Sequence, residues 1–224
     1  NDFFSLCTET GIIRLNSPLD RENISMYNIS IKAEDYGVKV RHHSISSIII
    51  NVLDINDNPP EFSFNIYNST VLENATVDSE VLRIYATSRD IGVNADILYN
   101  LISGNEHNKF KIDTHTGIIY VNDKLDYEKT KNYFLIAQAV DRGTPPLSNI
   151  ASVNISIIDI NDNRPKFSQR IYRIQIREDI GLNSEVVKVI ATDEDSGKNK
   201  MIRYNIERGD TLSHFTINEA TGLI

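Results

Sequence analysis

The sequence has one cysteine, two methionines and no tryptophan in 224 residues. A lone thiol, Cys7, excludes any disulfide within the chain. Basic side chains are in deficit, with 23 Lys and Arg against 31 Asp and Glu, a formal net charge of −8. Nucleic acid is therefore a poor partner, because phosphates need a basic face. No apolar stretch approaches the ~20 residues of a membrane-spanning helix. Strong helical periodicity is also missing. No nucleophile elbow, His-Glu-x-x-His pair or phosphate loop occurs, so nothing supports an enzyme. What remains is an ordinary globular balance, 40% hydrophobic and 24% charged, in a length that fits one large domain or two ordinary ones.

Internal repetition sets the organisation. Asp54-Ile-Asn-Asp-Asn58-Pro-Pro-Glu-Phe62 recurs 105 residues on as Asp159-Ile-Asn-Asp-Asn163-Arg-Pro-Lys-Phe167. Thr10-Gly-Ile-Ile13 recurs as Thr116-Gly-Ile-Ile119 and as Thr221-Gly-Leu-Ile224. Leu19-Asp-Arg-Glu22 pairs with Leu125-Asp-Tyr-Glu128, and Val71-Leu-Glu73-Asn with Ile176-Arg-Glu178-Asp. Ala86-Thr-Ser-Arg-Asp90-Ile-Gly-Val-Asn94 pairs with Ala191-Thr-Asp-Glu-Asp195-Ser-Gly-Lys-Asn199. A period near 105 residues is a whole domain, too long for a solenoid unit. The expected division is 1–58 as the back part of one domain, 59–163 as a complete domain, and 164–224 as the front part of a third.

Strands are expected throughout. Tyr27, Ile29, Ile31 and Ala33 alternate with Asn28, Ser30, Lys32 and Glu34, the period of a strand with one buried face. Tyr133, Leu135, Ala137 and Ala139 repeat it, as do Val153, Ile155 and Ile157. Phe110–Ile112, Ile118–Val121, Val81–Ile84 and Leu98–Ile102 supply more. Seven short strands per ~100 residues indicate an all-β antiparallel sandwich. Phe62, Phe167, Tyr67 and Tyr172 are expected to open the first strands and pack inward. His42 and His43 read as solvated loop.

The Asp-Ile-Asn-Asp-Asn runs are the chemical signal. Two carboxylates and two amides in five residues cannot be explained by burial, and unpaired carboxylates so close repel. Alternating oxygen donors suit a hard cation. Calcium takes 6–8 oxygens in flexible geometry, whereas magnesium wants a tighter, wetter site. Zinc would want His or Cys at ligand spacing, and His42-His43 are adjacent rather than spaced.

Taken together, these motifs resemble cadherin repeats over essentially the whole chain, of the interior kind in protocadherin, Fat and Dachsous proteins. The resemblance implies tandem Ig-like, Greek-key, seven-strand sandwiches, with up to three Ca2+ at each joint. Its implied ligands at the second joint are Glu73, Asp126 and Glu128, then Asp159, Asn161 and Asp162 with backbone oxygen of Ile160 and Asn163, then Asp193 and Asp195 with backbone oxygen of Asn199. At the first joint they are Asp20, Glu22, Asp54, Asn56, Asp57, Asp90 and Asp141, with Ile55, Asn58 and Asn94 through the backbone. The remaining glutamate of the first joint would precede Asn1, and an aspartate of the second would follow Ile224. Asp35 corresponds to Asp141 and would serve an earlier joint. Ser88 stands where the family has the first Asp of Asp-x-Asp. A neutral oxygen there weakens the third position, so the first joint is expected to hold fewer ions, or to hold the third weakly, and to bend more.

The resemblance also implies calcium-dependent cell–cell adhesion through other cadherin ectodomains, homophilic or heterophilic. The chain would be the extracellular portion of a plasma-membrane protein whose transmembrane helix lies outside this segment. The alternative is a calcium-stiffened spacer with no adhesive face. Five Asn-x-Ser/Thr acceptors, at Asn23, Asn28, Asn68, Asn74 and Asn154, fit an extracellular site. Six implied ligand carboxylates at the first joint and seven at the second account for 13 of the 31 acids, leaving 18 against 23 bases. The acidity is thus concentrated at two hinges.

Overall fold

A computed structural model describes residues 3–224. Strands β1 (Phe4–Leu6), β2 (Ile13–Leu15), β3 (Met26–Glu34) and β4 (His43–Asn51) form a first group. A second comprises β5 (Glu61–Phe62), β6 (Ile66–Leu72), β7 (Glu80–Arg83), β8 (Ala86–Thr87), β9 (Ile97–Ser103), β10 (Phe110–Ile112), β11 (Ile118–Val121), β12 (Asn132–Asp141) and β13 (Ser148–Ile158). Only β14 (Lys166–Phe167) and β15 (Ala191–Thr192) follow. One 3-10 turn, Gly92–Ala95, is the helical content among the described residues. No helix there is long and apolar enough to cross a membrane.

The middle group makes a two-sheet sandwich. One sheet runs β6-β13-β12-β9 and the other β10-β11-β7, with β5 and β8 paired at one end. β5 with β6, and β7 with β8, are each one strand interrupted, so nine segments amount to seven strands. The chain crosses between sheets after β6, β8, β9 and β11, which is Greek-key connectivity. All pairs are antiparallel except β6 with β13. Period-two patterning explains the burial: Tyr133, Leu135, Ala137 and Ala139 of β12 and Ala151, Val153, Ile155 and Ile157 of β13 point inward. They and Tyr99 of β9 meet Ile84, Phe110, Ile119 and Val121 from the other side.

Two motif repetitions acquire physical reasons. Gly117 adopts φ +69°, and a Cβ there would lie 2.4 Å from the Ile84 carbonyl oxygen; Gly222 repeats this at φ +71° against Val189. The Thr-Gly turn therefore needs glycine both for its left-handed backbone and for close approach. The tyrosines repeat as well: Tyr67 and Tyr172 donate their hydroxyls to the carbonyls of Tyr85 and Ile190, each at 3.1 Å.

Phe62 is buried and Tyr67 packs on the core as expected, but Phe167 is 57% exposed, and no strand forms around Tyr172. The corresponding β6 is held by its parallel partner β13, and residues 164–224 contain no counterpart of β13. Of the two histidines, His43 begins β4, while both remain exposed. Cys7 is a free, half-buried thiol.

Gly92 has φ +60° with open space around its Cβ position, which makes it a control for Gly117. Gly92→Ala is expected to cost about 1–2 kcal/mol from the left-handed backbone alone. Gly117→Ala should cost about 1–3 kcal/mol more from the clash with Ile84. Urea unfolding of the two variants measures the difference.

Candidate metal centres at the two joints

The second joint draws on three chain segments. Glu73, at the end of β6, is 5% exposed. Its carboxylate accepts from Tyr127 N at 2.7 Å and from Ile160 N at 2.8 Å, fastening the 125–128 loop to the linker. Asp159 Oδ2 accepts from Ser196 N at 3.1 Å, Ser196 Oγ at 2.9 Å and Asn199 Nδ2 at 3.0 Å. Asp195 Oδ1 accepts from Asn163 N and Nδ2. Asp195 N in turn donates to Asp193 Oδ1 at 2.9 Å. Glu73 thus gives both oxygens to backbone amides, whereas Asp159 and Asp195 each turn one oxygen to fixed donors and leave the other facing the joint.

Those other oxygens converge. Atoms of Glu73, Glu128 and Asp162 lie within 4.8 Å of one another, and so do atoms of Glu128, Asp159 and Asp195. Glu128 belongs to both groups and can bridge two adjacent positions. Its carboxyl is pushed above the ordinary range by burial and by the charges of Glu73, Asp162 and Asp159. Asp162 is raised by desolvation and by Glu73, Asp195, Asp126 and Asp159. Burial also raises Asp159, but hydrogen bonds from Ser196 and Asn199 outweigh it and hold that carboxyl low. Asp126 is engaged differently, by the Lys129 backbone and ammonium.

The first joint repeats the frame. Asp54 Oδ2 accepts from Ile91 N at 3.1 Å and Asn94 Nδ2 at 2.9 Å, and Asp90 accepts from Asn58 N and Nδ2. Asp57 accepts from Asn58 Nδ2, and Asp20 from Asn23 N. Glu22, Asp54 and Asp90 form a third group within 4.8 Å. Asn56 crosses to the middle sandwich, donating to Asp141 Oδ1 at 3.0 Å and the Pro145 carbonyl at 2.6 Å. It lies so close that a Cβ on Gly143 would be 2.2–2.7 Å from its side chain. Asp35 accepts from Gly37 and His42 amides as Asp141 does from Gly143 and Leu147.

Two features separate the joints. Ser88 Oγ accepts from Asp90 N at 3.1 Å, the task Asp193 performs at the second joint, and donates to the Asn58 carbonyl at 3.0 Å. A carboxylate could not make that donation. Arg21 is the other feature. Its guanidinium bonds Glu22, Asp54 and the Arg89 carbonyl, so a fixed cation joins the first group, the linker and the middle group. Its side chain is only 13% exposed. The corresponding residue of the second joint is Tyr127, whose ring lies under Lys131.

Among the described residues, the buried side-chain oxygens without any hydrogen-bond partner belong to Asn56, Glu128, Asp141, Asp159 and Asp195. All five are ligands implied by the sequence. An unsatisfied buried acceptor costs about 1–3 kcal/mol, more when charged, and the donors are oxygen throughout, which fits calcium. The orphans at the second joint lie in the Glu128 cluster, and those at the first joint lie where Asn56 meets Asp141. Arg21, Lys129, Gly143 and Ser196 were missing from the sequence-derived set. Only the Arg21/Tyr127 mismatch between otherwise matching motifs signalled any of them.

Two predictions follow from the electrostatics. A carboxyl whose folded value lies above its unfolded one binds its proton more tightly when folded. Its contribution is favourable below about pH 4 and is lost as pH rises through the folded value. In chelator, Glu128→Gln should therefore raise Tm more at pH 7 than at pH 4, while weakening calcium binding; calorimetry at both pH values reads this. Arg21→Tyr should destabilise the metal-free first joint by about 1–3 kcal/mol and tighten its calcium binding, read by thermal melts and titration of the same variant.

Comparisons with known proteins agree with this geometry. The Cadherin domain family profile matches residues 1–53, 67–158 and 172–224. The Drosophila melanogaster Fat-like cadherin-related tumor suppressor homolog is 56% identical over the whole chain, and human Protocadherin Fat 1 is 48% identical over 98% of it. The chain spans only 5% of the length of each. Mouse Cadherin-23 EC22-24 superposes with a TM-score of 0.87 at 31% identity, covering all of this chain and 71% of that one. The chain, with its Ig-like sandwich and acidic joints, belongs to the cadherin family.

Proposed function

We propose that the chain is an interior piece of a cell-surface cadherin ectodomain in which calcium stiffens two joints between repeats. The repeats divide at 58/59 and 163/164, where the acidic runs meet proline. At the second joint, Glu73, Asp126, Glu128, Asp159, Asn161, Asp162, Asp193 and Asp195 hold calcium, with carbonyls of Ile160, Asn163 and Asn199. At the first, Asp20, Glu22, Asp54, Asn56, Asp57, Asp90 and Asp141 do so, with carbonyls of Ile55, Asn58 and Asn94. The five orphaned oxygens carry this reading, because no described residue satisfies them. Ser88 lowers the charge at the first joint, which therefore binds fewer ions or binds its third weakly.

The mechanism is neutralisation. Without metal, clustered carboxylates repel and the linker swings. Bound calcium cancels the repulsion and ties linker and both repeats to one ion cluster, so binding free energy becomes rigidity. The rigid ectodomain then presents itself to another cadherin ectodomain on an opposing cell. In this reading the carboxylates act as ligands rather than as acid–base catalysts.

Titration calorimetry is expected to give dissociation constants on the order of 10⁻⁴ to 10⁻³ M, the range of extracellular calcium modules. Asp159→Asn or Asp195→Asn should weaken second-joint binding about tenfold or more, and a chain that binds no calcium would refute the reading. Beads coated with the chain separate the two roles: clumping that requires calcium supports adhesion, whereas beads that stay dispersed leave it a spacer.

A further inference from the structure

The outer face of the four-stranded sheet carries a second chemical feature. Asn68 of β6 and Asn154 of β13 are register partners in adjacent parallel strands. Both side chains point outward, since Val153 and Ile155 beside Asn154 are fully buried, and Asn154 Nδ2 donates to Asn68 Oδ1 at 3.0 Å. Each begins an acceptor tripeptide, Asn68-Ser-Thr70 and Asn154-Ile-Ser156. Two acceptors separated by 86 residues in sequence thus meet side by side.

The row continues across the sheet. Asn154 faces Phe134 of β12, a ring left 68% exposed. The first strand group carries the same row with the partners exchanged. There Asn28 of β3 stands at the position of Phe134 and faces Ile49 of β4, which stands at the position of Asn154. Ile49 is 62% exposed. Each row therefore sets an acceptor asparagine beside a large apolar side chain, and in the complete sandwich the fold leaves that ring bare. The apolar face of a sugar ring would cover such a side chain.

We propose that Asn68 and Asn154 constitute one N-glycan attachment site, carrying a single glycan on one or the other in the folded, secreted protein. Transfer forms the bond from the amide Nδ2 to the anomeric carbon of a lipid-linked oligosaccharide. It breaks that carbon's bond to the lipid pyrophosphate, which leaves with the amide proton. Neighbouring strands are about 4.8 Å apart, roughly the breadth of one sugar ring, so two stems cannot both stand upright on this pair. A chain modified at both cannot close β6 against β13 without splaying them, and that pairing anchors the first strand of the sandwich. The glycan lies over the Phe134 row and closes this face to sheet-against-sheet contact with a second copy.

The test is the intact mass of the chain secreted from eukaryotic cells, with glycans trimmed enzymatically to one sugar each. The background carries Ser25→Ala, Ser30→Ala and Thr76→Ala, so that only the paired acceptors remain. One sugar per molecule is expected. Thr70→Ala and Ser156→Ala each remove one acceptor signal while leaving both asparagines, and each single variant should still carry one sugar. The double variant should carry none. Two sugars in the background, none in the background, or none in either single variant overturns the proposal. A melt in calcium before and after trimming establishes that every variant counted is folded.

Discussion

Two unit charges 4.8 Å apart at an effective dielectric of 20 repel by roughly 3 kcal/mol, and each acidic group at these joints contains carboxylates at or within that separation. The chain nevertheless holds them there, clamping Glu73, Asp54 and Asp90 through both oxygens and Asp159 and Asp195 through one, with the other aimed into the joint. That repulsion is the constraint on which the interdomain geometry depends. The sandwiches are stable for ordinary reasons of apolar burial. Under the proposed function, the linker between them is defined only when a cation stands among its oxygens.

The two joints meet this constraint differently. At the second, Glu128 is shared between two carboxylate groups and both it and Asp162 are driven toward the protonated form. At the first, the Arg21 guanidinium already stands between Glu22 and Asp54, and the unsatisfied oxygens are displaced to Asn56 and Asp141. One chain therefore contains a joint with the Arg21 guanidinium built into its carboxylate group and a joint whose grouped carboxylates have no ion pair among the described residues. Under the proposed function, stiffness along the ectodomain varies from joint to joint with calcium concentration.

Much of this was legible in the sequence. Period-two patterning placed β3, β12 and β13, because a strand buried on one face must alternate. The joint carboxylates were legible because their spacing has no use in a core. The family relationship followed from their recurrence with the Thr-Gly turns. What sequence could not supply was reach. Arg21 and Tyr127 occupy matching positions, yet only folding brings the guanidinium onto Asp54, 33 residues away. Asp126 reads as an equal ligand, but Lys129 claims part of its charge. No strand forms at Tyr172, because residues 164–224 contain no counterpart of β13 for it to pair with. Asn68 and Asn154 become neighbours only through the one parallel pairing in the sandwich.

The central claim is that external cations, rather than packing, fix the angle between successive repeats. Small-angle X-ray scattering of the chain at neutral pH, in chelator and then in millimolar calcium, tests this most directly. Calcium is expected to convert a broad distribution of bent shapes into one extended form with a longer maximum dimension. Superimposable scattering curves in the two conditions would contradict it.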